Sequence, residues 1–201
     1  MIEAVRWPMP GFEGVPEPGP EARLFLAGWL AARQGGLVPA KDSFDPGYMP
    51  RLLGHVWLYA RDPETGVYSN RLAGEAVNRA WGFSLRGRTT SEIFPASEHD
   101  LIVGIWDRIL DTPLIHYGRR ERLDGTSLYM AERMVTPLAD ADGRPRYVLG
   151  LTLYELGIDS DAAAPRVNMN AWHVPCAALD GDASTRPDLD IRVPDDPDRS
   201  S

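Results

Sequence analysis

Lysine and cysteine are almost missing from this chain of 201 residues. Lys41 stands alone beside 20 arginines, and Cys176 is the single thiol. One cysteine excludes an intrachain disulfide and any zinc cluster built on cysteines. It fits a cytoplasmic protein. No run of about 18 apolar residues occurs, so no segment is predicted to span a bilayer. Residues 1–20 lack the basic start and apolar run of a secretory signal. Positive charge is also short, with 21 basic against 29 acidic side chains and a net charge of −8. A nucleic-acid backbone or an anionic membrane is therefore not the expected main partner. The hydrophobic share of 43% and the charged share of 25% are those of a globular domain with extensions.

Three regions differ in composition. Residues 1–20 hold five prolines and three glycines and read as an irregular leader. Residues 157–201 carry nine Asp against four Arg, a net −5, and read as an acidic, largely disordered tail. One patch there, 169–174 with Trp172, has the apolar content to dock back. Residues 21–156 form the folded part. Leu26, Trp29, Leu30 and Arg33 recur at helical spacing over 21–33, and Gly35-Gly36 stops that helix. A second helix is predicted over 44–53, opened by Asp45 and Pro46. Strands follow at 56–60 and 67–72 around the turn residues 62–66. Short helical pieces over 74–97 lead to a long amphipathic helix at 97–111, with Ser97 and Asp100 as its capping box. Strands at 114–122, 127–138 and 146–155 close the domain, the first two joined at Asp124-Gly125. The expected fold class is α+β, a five-stranded antiparallel sheet with helices on one face and the N-terminal helix covering the other.

That order, with these residues, resembles the PAS sensory domain. Arg71-Leu72-Ala73-Gly74 and then Trp81-Gly82-Phe83-Ser84-Leu85-Arg86-Gly87-Arg88 are similar to the segment after its second strand. Thr136-Pro137-Leu138, Asp142-Gly143 and Val148-Leu149-Gly150 are similar to its last hairpin. Trp29, Gly35-Gly36, Pro39, Asp45-Pro46 and the run Tyr68 to Gly74 resemble a divergent bacterial group of stand-alone members. The resemblance covers 21–156 and implies a sensor or interaction fold without an output domain of its own. It implies no particular ligand, and no cofactor follows from it.

A sheet curved around helices leaves room for a ligand between them. Trp81, Phe83 and Trp106 fall on the expected helical wall, where ordinary core packing is the competing reading. In the strand 127–138, Met130 and Glu132 share one face with Leu128, Met134, Thr136 and Leu138, while Arg133 falls on the other. A carboxylate among apolar neighbours needs a partner. Arg71, Asn70, Asn78 or a ligand is expected to supply it, a Glu132–Arg71 pair being the simplest case. The strand 146–155 is apolar on both faces, so its outer face needs a cover. Leu26, Trp29 and Leu30, packing on Leu149 and Leu151, are expected to provide it, from the same chain or across a homodimer.

His55, His99, His116 and His173 lack metal-ligand spacing, and His99 is the one haem-ligand candidate. A flavin–cysteine adduct requires Cys176 to fold inward. No hydrolase elbow, phosphate loop or dinucleotide fingerprint is present, so no enzyme is expected. The sequence reading is a PAS-like module that binds a small molecule, a signalling protein or both. Its alternative is an interaction adaptor with a filled core.

Overall fold

The computed structural model describes residues 7–119, 129–155, 170–180 and 188–189. Helix α1 (Pro20–Ala32) starts with proline at its first turn, where the missing N–H costs nothing. Gln34 (φ 49) and Gly35 (φ 85) end the run in the left-handed region. Ala22, Phe25, Leu26, Trp29 and Ala32 line its buried face. Burying each of the large ones contributes about 1.5–3 kcal/mol.

The stretch expected as a second helix is instead two 3₁₀ turns, Pro46–Tyr48 and Pro50–His55. Pro50 has no N–H to donate and holds Met49 out of the helical region (φ −129, ψ 59), which breaks the α pattern. Asp45 does cap, its Oδ1 accepting from Gly47 N–H at 2.8 Å.

Strands β1 (Val56–Arg61) and β2 (Tyr68–Ala73) form a hairpin. Asp62 Oδ1 organises its turn by accepting from the N–H groups of Glu64 and Thr65. Helix α2 (Glu75–Trp81) closes at Gly82 with φ 74. The short α3 (Thr90–Ile93) carries the capping box, formed by Thr89 and Glu92. The box expected at Ser97 and Asp100 is absent. Helix α4 (Ala96–Asp111) starts right after Pro95, so Ser97 already lies in its first turn. Asp100 meets His99 Nδ1 at 3.0 Å instead.

Strands β3 (Leu114–Arg119), β4 (Tyr129–Ala139) and β5 (Pro145–Glu155) follow. The expected Asp124-Gly125 turn lies outside the described residues. Two further strands come from the tail, β6 (Asn170–Pro175) and the short β7 (Asp188–Leu189). The sheet is antiparallel and seven-stranded, in the order β2-β1-β5-β4-β3-β6-β7. Part of the tail expected to be largely disordered is thus ordered. Trp172 and Val174 pack among one set of buried residues, and His173 meets His116 on the other face. The patch expected to dock back, 169–174 with Trp172, does so as β6 on β3. A 3₁₀ turn, Cys176–Asp180, then buries Cys176, Ala178 and Leu179.

Two cores lie back to back on this sheet. Trp57, Tyr59, Tyr68, Val135 and Val148 face α2, α3 and α4. Val56, Met134, Leu138, Leu149 and Leu151 face α1, the leader and the 3₁₀ turns. The cover of the outer face is therefore the chain's own helix. Leu26, Trp29, Leu149 and Leu151 are buried and Leu30 packs half-buried beside them, so the dimer or partner interface expected through these five residues is already filled from within. Trp29 Nε1 donates to Pro137 C=O at 2.8 Å and fixes the helix on β4. The two chain regions also meet: Gly11 (φ 82) lies where an added Cβ would sit 3.0 Å from Ala178 Cβ, and Arg33 holds Asp180 at 2.8 Å.

Candidate functional site

The helical side of the sheet is filled at its centre by aromatic rings. Trp106 of α4 packs on Tyr59 at 4.6 Å, Tyr68 at 5.2 Å and Trp57 at 5.5 Å between ring centroids. Polar ends of this cluster are tied down. Tyr68 donates to Asp107 at 2.8 Å, Arg61 pairs with Asp107 and Asp111, and Trp57 Nε1 donates to Thr152 Oγ1 at 2.9 Å.

Beside this cluster the helical side is more exposed. Trp81, Phe94, Ile102 and Tyr154 are half-buried there, with Trp81 edge-on to Phe94 at 5.3 Å. Arg133 lies beside Tyr154, which reaches Trp81, on the same face as Val135. Its register neighbours are Gly118 on β3 and Thr152 on β5, both small. Its Nε is enclosed and has no hydrogen-bond partner. Among the described residues no carboxylate pairs with it. The nearby groups are the phenols of Tyr154 and Tyr59 and, on the first turn of α4, Glu98. Burial holds the guanidinium below the usual arginine range and pushes both phenols above theirs. Beside it, His116 Nδ1 lies 3.0 Å from His173 Nε2. Burial, with His173, Arg133 and Arg108 adding positive charge, keeps the His116 imidazole well below its ordinary range.

Glu132 belongs to the other core. Its Oε1 accepts from the Tyr117 hydroxyl at 2.7 Å and from Gly19 N–H at 2.8 Å, at the entrance to α1. The expected Glu132–Arg71 pair does not form, because Arg71 is exposed on the far edge strand and Glu132 faces outward. The period-two pattern linking Met130 to Glu132 is interrupted. Met130 registers with Tyr154 and Glu132 with Leu153, so one extra residue bulges between them. The Met130 side chain lies outside the described residues.

The other predicted site residues scatter. Asn78 braces the backbone, donating to Ala73 C=O and accepting from Leu85 N–H. Asn70 is buried on the helical face, its Nδ2 donating to Leu72 C=O and its Oδ1 unpartnered. Phe83 is exposed beneath the Arg88 guanidinium at 4.9 Å. Among the described residues, Trp81, Trp106 and Asn70 share the helical face with Arg133. Sequence reasoning set Arg133 aside with the outward positions. A charged residue on a strand flanked by apolar strands on both faces was the signal available for it.

Among the described residues no cluster of three or more His, Cys, Asp or Glu forms a metal site. Cys176 does fold inward, but into the core under α1, where burial pushes its thiol up to about 12. No described helix is long and apolar enough to cross a membrane. A family model described as PAS domain matches residues 19–153. No curated protein matches the chain, and no solved structure does.

Proposed function

The chain belongs to the PAS domain family, and we propose that it works there as a cytoplasmic sensory module that takes a small molecule between the sheet and α2–α4. The observation that carries this reading is the division of labour along β4. Arg133 faces the helical layer without a partner, while Glu132, next in the chain, holds the start of α1 on the opposite layer. A ligand that moves Arg133 moves the backbone that positions Glu132. The docking of α1 and the leader would then report occupancy to a signalling protein, a shift between two populations rather than a chemical step. No catalytic role is assigned.

The test couples two readouts on the full chain. A thermal-shift panel of metabolites should yield at least one stabiliser, since a ligand at 100 times its Kd adds about 2.7 kcal/mol. Hydrogen exchange with that ligand should change protection at Gly19 and along α1. Stabilisation that leaves α1 unaltered would sink the coupling.

The interlocked rings of Trp57, Tyr59, Tyr68 and Trp106 support a second reading, an adaptor with a solid core. Its contact surface would include the exposed Leu72, Phe83 and Leu101. A silent panel, with loss of partner capture in a Phe83→Ser variant, would favour it. Trp29→Asp is unsuitable for that experiment, because Trp29 is fully buried.

A further inference from the structure

We propose that Arg133 anchors a site for small carboxylates that carry a flat apolar body. The assignment rests on the sensor reading and names the class of molecule it would detect. An enclosed guanidinium nitrogen without an acceptor is costly, and a carboxylate is the acceptor whose geometry matches its fork. Gly118 and Thr152 flank Arg133 across the sheet, and the Trp57 indole takes the Thr152 hydroxyl, so neither neighbour offers the guanidinium an acceptor. The adjoining rings suit a planar body: Tyr154 lies beside Arg133, Trp81 beside Tyr154 and Phe94 beside Trp81, all half-buried. The Tyr59 and Tyr154 phenols remain protonated and supply O–H donors to an anion. Glu98 is the acid facing the guanidinium, and it sits exposed without forming an ion pair. Arg108 adds a second guanidinium near Arg133, both close to the neutral His116 ring.

The probes are benzoate and phenylacetate, with benzamide as the uncharged isostere of benzoate and inorganic phosphate as a non-carboxylate anion. Isothermal titration of the full chain should show saturable binding of at least one acid. Benzamide should bind about tenfold more weakly or worse, as loss of a charge-assisted bond requires. Phosphate should not bind. Arg133→Met should abolish acid binding and, without ligand, raise the melting midpoint by about 2–4 °C, because an apolar isostere removes a buried unpaired charge. Arg133→Lys should keep weak acid binding, which guards against misreading a folding defect.

Equal affinity for benzamide, or retained acid binding in Arg133→Met, would overturn the carboxylate assignment while leaving the sensor reading intact. So would a metabolite hit that carries no acid group. A lowered midpoint in Arg133→Met would make the residue structural and end the proposal. No binding of either acid at millimolar concentration also ends it. The sensor reading itself falls only if the broader metabolite panel is silent as well.

Discussion

His116 and His173 touch across the β3–β6 ladder, ring nitrogen to ring nitrogen at 3.0 Å, and the contact joins the tail to the domain. At most one proton can lie between them while both rings are neutral. The folded state holds the His116 pKa well below 6.5. Unfolded imidazole takes up its proton as pH falls through about 6.5, whereas the folded ring refuses it. Protonation therefore favours the unfolded state. The stability from this pair is fully present above that pH and is lost progressively below it. Melting midpoints measured from pH 8 down to pH 5 should decline below 6.5. His116→Phe should flatten this decline, and an unchanged acid limb would refute the assignment to this pair.

Trp29 tests the outer layer. Its side chain is fully buried and its indole N–H is used. Trp29→Ala should cost about 3–5 kcal/mol through the cavity left behind. Trp29→Phe keeps most of the packing and should cost about 1–3 kcal/mol for the orphaned Pro137 carbonyl. Urea unfolding monitored by far-UV dichroism gives both values. No loss in Trp29→Phe would mean that the hydrogen bond contributes nothing.

Glu132 tests the fastening of the leader. Removing its carboxylate in Glu132→Ala leaves the Tyr117 hydroxyl and Gly19 N–H without an acceptor. A loss of about 2–3 kcal/mol is expected from a charged acceptor with two donors. Amide exchange at Gly19 should accelerate before exchange in β4 does. Uniform acceleration across the sheet would argue for a general core defect.

Cys176 reports on the tail. Burial and a pKa near 12 should make the thiol slow toward a disulfide reagent at pH 8 in the folded chain. Labelling should become fast in denaturant. His173→Ala, which removes the partner of His116, should speed labelling of the folded protein. An unaltered rate would show that β6 stays in place without the histidine contact.

The fold was largely legible because its signals are local. Strand patterns, the Asp62 turn, the buried face of α1 and the need for a cover over Leu149 and Leu151 all follow from side-chain periodicity. The site was less legible, because alternation groups Glu132 with Met134 and Leu138 but does not say which of the two faces α2–α4 cover. Alternation carried from Met130 through Glu132 without interruption, and that gave no warning of the extra residue. Glu132 therefore drew the attention that Arg133 warranted. The partner of Glu132 was also out of reach: the Gly19 amide is separated from it by 113 positions and has no side chain to suggest the contact. The His116–His173 pair depends on the register of β6 against β3, which side-chain periodicity does not set.

The meeting of Gly11 with Ala178 and of Arg33 with Asp180 sets an order on synthesis. The first layer to emerge during translation cannot be completed until residues 170–180 have been made. Meanwhile Phe25, Leu26 and Trp29 wait with an incomplete surface to cover. Nascent chains halted before residue 170 should recruit chaperones through that helix, and release should coincide with arrival of the segment bearing Cys176.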